Sequence, residues 1–76
     1  MNEFSISTDF INLQQLLKAL NIAESGGHAK ILIEEGEVSV NAETEFRKRR
    51  KLYPGDIVRV MEEEIKITSE KDVKKG

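Results

Sequence analysis

Cysteine is absent from the 76 residues and histidine occurs once, as His28, which excludes a disulfide framework and leaves no Cys or second His for a transition-metal centre. No apolar stretch approaches the roughly 20 residues that a membrane span needs. Residues Met1 to Phe10 have neither the basic start nor the apolar run of a signal peptide, so a cytoplasmic location is expected. There is no internal repeat and no linker. A chain this short has room for one domain, which hides a modest share of its surface and leaves little core for a buried active site. An excess of positive charge is missing too. Twelve Lys and Arg against 14 Asp and Glu give a net charge of -2 and a pI near 5.4, a balance that on average argues against a polyanionic partner.

The order of the charges says otherwise. Five of the 12 basic residues are consecutive, Arg47-Lys48-Arg49-Arg50-Lys51, while acids spread through Glu34, Glu35, Glu37, Glu43, Glu45 and the run Glu62-Glu63-Glu64. The acids lack any isolated apolar setting that would separate their pKa values, and they read as solvated surface groups. Ser25 has no base and orienter arranged around it as a triad. No enzyme activity and no cofactor are expected.

Hydrophobic periodicity divides the chain into short elements. Phe4-Ser5-Ile6-Ser7 alternates and predicts a short edge strand. Leu13, Leu16, Leu17 and Leu20 recur at helical spacing, with Asn12 as N-cap, Gln15 at the capping-box position, Ile11 placed to staple onto Leu16, and Asn21 able to end the helix in the left-handed conformation. A second helix is expected from Gly26 to Glu35, with Ser25 as N-cap, Ala29, Leu32 and Ile33 on its buried stripe and Gly36 as its stop. The short link makes the helices neighbours, so Leu17 and Leu20 should meet Leu32 and Ile33 in one core. The period then changes to two. Val38 and Val40 mark a strand, Asn41 to Glu43 a turn, Thr44 to Leu52 an extended stretch, Pro54-Gly55-Asp56 a turn, and Ile57 to Val60 a strand. A turn at Glu62 to Glu64 and a strand at Ile65 to Thr68 complete the domain, 1–68, and residues 69–76 are expected to form a disordered charged tail.

Three features could carry function. If residues 47–51 are extended, Arg47, Arg49 and Lys51 line one side and Lys48 and Arg50 the other, so neither face can enter a core. A protruding basic loop suits phosphate contacts, with Arg as a bidentate fork and Lys as a point charge; the plainer alternative is a charged edge that blocks strand aggregation. The second feature is Ser25-Gly26-Gly27-His28-Ala29-Lys30. Side-chain-free glycines at a helix N-terminus admit an anion to the backbone N–H groups, and Lys30 lies one turn on; equally, the glycines serve a tight turn and close helix packing. Third, Tyr53 beside the basic run either stacks on a base or lids the core.

These residues resemble a known family, the αL RNA-binding motif, or ribosomal protein S-four-like domain. In that family two short helices precede a strand ending in Val-Asn-Gly and a later Gly-Asp turn into an apolar strand. The resemblance spans Asn12 to Val60, about two-thirds of the chain, through Asn12-Leu13-Gln14 and Leu17, Ser25, Ala29, Leu32-Ile33, Gly36, Val38, Val40-Asn41 and Gly55-Asp56. The chain departs from the family pattern where Arg-Leu-Asp becomes Asn12-Leu13-Gln14, where Ser-Arg becomes Ser25-Gly26, and where the Gly after Val-Asn becomes Ala42. Ser25-Gly26-Gly27, Lys30 and Arg47 to Tyr53 are similar to a small stand-alone bacterial branch. The resemblance implies an α+β fold, two short helices packed on a small, mainly antiparallel sheet of four to five short strands. It also implies binding of structured RNA, ribosomal or transfer, by the helix pair and the basic loop. The expected contact set is Lys18, Ser25, Gly26, Gly27, His28, Lys30, Arg47, Lys48, Arg49, Arg50 and Lys51, in a monomer with no membrane or small-molecule partner.

Two other readings compete. A ubiquitin-like β-grasp sulfur carrier would use the C-terminal Gly76, although such carriers end in paired glycines and this chain has one. A DNA-binding helix-turn-helix would use the helix pair, although Gly26, Gly27, Glu34 and Glu35 make a poor recognition helix.

Overall fold

The computed structural model describes residues 2–70. Its elements run β1 (Asn2–Ile6), β2 (Ile11–Asn12), α1 (Leu13–Ala19), α2 (Gly26–Glu34), β3 (Val38–Val40), β4 (Glu43–Thr44), β5 (Lys51–Leu52), β6 (Ile57–Val60) and β7 (Glu63–Ser69). Five strands form one sheet in the order β1-β7-β6-β3-β4, and β2 pairs with β5 in a separate two-stranded ladder. The α+β class with two short helices and a mainly antiparallel sheet is the one expected. The parallel pairing of β1 with β7 and the second small ladder have no signature in the periodicity.

Alternation explains the sheet. Val38, Val40, Val58, Val60, Ile65 and Ile67 are all buried, and the antiparallel registers set Val38 opposite Val60, Val40 opposite Val58 and Val58 opposite Ile65. Paired residues share a face, so these β-branched side chains make one continuous apolar surface. Ser39, Arg59 and Glu64 follow one another across the opposite face, where Arg59 and Glu64 approach to 3.8 Å. The helices belong to the apolar side: Leu13, Leu16 and Leu17 of α1 and Ala29 and Ile33 of α2 join the strand residues in one cluster, with Leu20 and Leu32 packed against it. Burying a large apolar side chain contributes about 1.5–3 kcal/mol. Helices of seven and nine residues are too short to persist on intrinsic propensity, so this shared cluster is what holds them.

The helix ends follow the sequence closely. Asn12 and Gln15 form a reciprocal capping box, and the Ser25 side chain accepts the His28 N–H at the start of α2. Asn21 takes a φ of 62° after α1, and Gly36 takes 79° after α2. Ile11, besides flanking the cap, enters β2 and pairs with Leu52.

Two expectations change in the strands. The turn placed at Glu62 to Glu64 is a two-residue turn at Met61-Glu62, with φ of 52° and 71°, and β7 already begins at Glu63. The acidic run misleads because it is polar. Register decides instead, since holding Ile65 opposite Val58 requires Glu63 opposite Val60, and Glu64 then gains Arg59 as its cross-strand neighbour. At its far end β7 continues through Ser69, one residue into the expected tail, while residues 71–76 lie outside the described part of the chain. The second change, over Thr44 to Leu52, concerns the basic run and is described below.

The family motif residues meet at one corner. Asn41 Oδ1 accepts the Ile57 N–H at 2.9 Å, and Asn41 Nδ2 donates to Asp56 Oδ1 at 3.1 Å. Asp56 Oδ2 accepts the Tyr53 N–H at 2.8 Å, and the Gly55 N–H donates to the Ile67 carbonyl at 2.8 Å. One asparagine and one aspartate thus tie the turn after β3 to the turn before β6. The turn after β3 carries strain, because Ala42 sits at φ 74°, a left-handed conformation costly to any residue with a Cβ. Ala42→Gly should therefore stabilise the protein by about 0.5–1 kcal/mol, the relief of roughly 1–2 kcal/mol less the entropic cost of glycine. In thermal denaturation that is a rise of about 2–8 °C; an unchanged or lower midpoint would show that Ala42 is not strained.

Candidate functional site

The basic run is not a strand. After β4 the chain leaves the sheet at Glu45, turns at Lys48-Arg49 with the Arg50 N–H donating to the Arg47 carbonyl at 3.2 Å, and rejoins a ladder only at Lys51. The extended stretch expected over Thr44 to Leu52 is broken there, and the alternating two-sided display of arginines does not form. The cause is Glu45.

Glu45 is 7% exposed, a burial that an unpaired carboxylate could not tolerate. Four donors satisfy it. Its Oε2 accepts the Arg47 backbone N–H and Nε, both at 3.0 Å, and its Oε1 accepts Arg47 Nη2 at 3.2 Å and Arg50 Nη1 at 2.7 Å. The Arg47 hydrogen bond, opposed by desolvation and reinforced by Arg50, lowers the Glu45 pKa from 4.5 to about 2. Glu45 in turn holds Arg47 more firmly in its charged form. Glu45 is thus no solvated acid. It folds the arginine run into a tight loop, and it treats the two arginines differently: the Arg47 side chain stays 72% exposed, whereas that of Arg50 is 29% exposed. Lys48 is half-buried, and Arg49 and Lys51 are exposed.

The loop is fastened to α1 through its own carbonyls. The Leu13 N–H donates to Arg50 O at 2.9 Å and the Gln14 N–H to Lys48 O at 3.0 Å. The first N–H groups of α1 are satisfied by the loop and by Asn12, leaving no anion site there. From the same first turn Gln14 Nε2 donates to the Gly26 carbonyl at 2.8 Å. Gln14 therefore bridges the basic loop to the start of α2, and two segments far apart in sequence become neighbours. Lys18 is exposed one turn beyond Gln14 on the same face of α1.

At α2 the two glycines separate. A Cβ on Gly26 would lie 3.1 Å from Gln14 Nε2, whereas one on Gly27 would meet only Ser25 Oγ at 3.8 Å. Close packing accounts for Gly26 and does not account for Gly27. His28 is half-buried and its Nδ1 accepts the Glu24 N–H at 3.1 Å, which fixes the ring over the cap. Lys30 lies 3.9 Å from Glu34 with both side chains about half exposed, a pairing worth little in water.

An aromatic pair borders the loop. Tyr53 and Phe10 are 47% and 38% exposed, with ring centroids 6.0 Å apart and planes inclined at 50°, and Lys51 Nζ stands 4.8 Å above the Phe10 ring. Tyr53 is not a core lid. No helix among the described residues is long and apolar enough to cross a membrane.

The family model described as S4 domain matches residues 4–68. The chain belongs to the S4 domain family. Among the relatives of this S4 domain is RlbA of Bacillus subtilis, which carries a ribosome-maturation name and is 48% identical over 59 residues, covering 78% of this chain and 83% of its own. YbcJ of Escherichia coli, which carries an RNA-binding name, is 46% identical over 48 residues, covering 63% of this chain and 69% of its own. The solution structure of YbcJ, described as revealing an αL motif involved in RNA binding, superimposes with a TM-score of 0.68 at 36% identity, covering 90% of this chain and 87% of that one. The αL resemblance read from the sequence is therefore correct, and a β-grasp carrier finds no support.

Two residues of this S4 domain escape a reading by residue type. Gln14 marks only a departure from the usual Asp, and Glu45 is one acid among many; its signal is its place two residues before Arg47 and five before Arg50, at the edge of the sheet. The lowered Glu45 pKa makes a signed prediction. A carboxylate depressed in the folded state stabilises fully above about pH 4.5 and loses that contribution as the pH falls towards 2. Glu45→Gln should cost about 1–3 kcal/mol at pH 7, and urea denaturation should show the gap to the parent closing between pH 4.5 and 2. A gap constant across that window would mean that the Glu45 charge does not hold the loop.

Proposed function

We propose that this S4 domain binds structured RNA, ribosomal or transfer, as a monomer, across a surface running from the basic loop over Gln14 to the start of α2. The Gln14 bridge carries the reading, because it makes one surface of the loop carbonyl at Lys48 and the helix start at Gly26. Lys48, Arg49, Lys51 and the outer edge of Arg47 take phosphates. Arg50 shapes the loop through Glu45. The Gly27 N–H, unobstructed by a side chain, faces a further phosphate, with Ser25 and His28 framing it and Lys30 and Lys18 adding charge at the flanks. Phosphates supply affinity, and the fixed distance between loop and helix start selects the shape of the RNA. The names of RlbA and YbcJ support the same direction. A duplex-DNA reader is disfavoured because α2 ends at Glu34 and is followed by Glu35, both exposed.

Binding to ribosomal subunits, transfer RNA and duplex DNA at stepped salt tests this. Contacts to about three to five phosphates predict a log-affinity slope near -2 to -4 against log salt. Lys48→Glu with Arg49→Glu should reduce RNA affinity by more than about tenfold with an unchanged melting temperature, since neither side chain makes an ion pair among the described residues. Full affinity in that variant, or a preference for duplex DNA, would overturn the proposal.

A further inference from the structure

Phe10 and Tyr53 are exposed aromatic side chains that the phosphate-binding surface does not use. Their position is set by a ladder. β2 and β5 pair Asn12 with Lys51 and Ile11 with Leu52, and the next position along sets Phe10 beside Tyr53. Two hydrogen bonds fix the Tyr53 backbone, its N–H to Asp56 Oδ2 at 2.8 Å and its carbonyl from the Asp56 N–H at 3.0 Å. Lys51 occupies a face of Phe10, which directs its charge towards the aromatic pair and leaves Tyr53, nearly half exposed, as the open ring. An exposed tyrosine costs a soluble surface some apolar area and here does not close the core.

We propose that Tyr53, braced by Phe10, is a stacking platform for one unpaired RNA base whose phosphate is held by Lys51 and the adjoining basic loop. The inference rests on the RNA-binding reading and extends it to the class of RNA: a nucleotide bulged from within a helix, rather than uninterrupted duplex. Continuity carries it. Lys51 is at once the last residue of the basic run and the cation over Phe10, so a backbone that follows the loop arrives beside the ring. A base has an apolar π-face that fits Tyr53, and the nearby ammonium group suits the phosphate attached to it. A rigid, pre-positioned ring also loses little conformational freedom on binding.

The chain contains one tyrosine and no tryptophan, so tyrosine emission reports on Tyr53 alone. Two RNA hairpins of equal length are titrated, one fully paired in its stem and closed by a short loop at a distance, the other with a single bulged nucleotide. The proposal expects tighter binding of the bulged hairpin, quenching of tyrosine emission on binding, and a loss of about 5- to 100-fold in affinity for it in Tyr53→Leu. Tyr53→Leu keeps an apolar contact to Phe10 and should remain folded by circular dichroism; Tyr53→Phe should retain the preference. In Tyr53→Leu the salt dependence should be unchanged, because no phosphate contact is lost. Equal affinity for both hairpins without quenching, or an unaffected Tyr53→Leu, would overturn the platform while leaving RNA binding intact. Failure to bind either hairpin or any other structured RNA would remove both readings together.

Discussion

The carboxylate of Glu45 governs what the most basic five residues of the chain can do. Five like charges in a row repel one another, and as an extended edge they would point to both sides of a strand. An acid fixed at the sheet edge and enclosed by two guanidinium groups changes that outcome. It takes one guanidinium donor of Arg50 and two of Arg47, turns the backbone at Lys48 and Arg49, and presents the loop carbonyls to the first turn of α1. A buried ion pair is weak evidence for net stability, because desolvation offsets the attraction. Its consequence here is conformational: without it nothing in the local sequence dictates a loop of this shape.

From that loop the organisation spreads by hydrogen bonds, not by charge. Lys48 accepts from Gln14, Gln14 donates to Gly26, and Gly26 opens α2. Each step uses a side chain or backbone group whose partner is fixed by buried packing, since α1 and α2 share the apolar cluster that also covers the sheet. The fold therefore holds the loop and the helix start at a set separation, and the electrostatic surface inherits the precision of the core.

Much of this was legible in sequence because local rules and tertiary packing agree. The leucines of α1, the caps Asn12 and Ser25, the left-handed Asn21 and the alternating valines each announce their element, and Val40-Asn41 with Gly55-Asp56 announces the family corner. What was hidden had competing local signals. Thr44 to Leu52 reads as extended because charge says nothing about a buried acid. Glu62 to Glu64 reads as a turn because polarity outweighs register. The β2–β5 ladder is two residues on each side, too short for any period to appear, yet it sets Phe10 beside Tyr53. Among the expected contact residues, Gly26 and Gly27 look alike in sequence and part company only once the Gln14 side chain occupies the space beside one of them.

The parallel pairing of β1 with β7 has a kinetic side. Asn2 lies opposite Ile65 and Ile6 opposite Ser69, so the first of the described strands has its hydrogen-bonding partner in the last of them. Contacts of such sequence separation form slowly, because loop closure precedes the energy they return. The helices, the β3–β4 hairpin and the β6–β7 hairpin are local and can assemble early, leaving β1 as an unpaired strand that docks at the end. Until then the free edge of β7 is open to pairing with another chain, and the interval between synthesis of β7 and docking of β1 is when a nascent copy of this protein is most exposed to its neighbours.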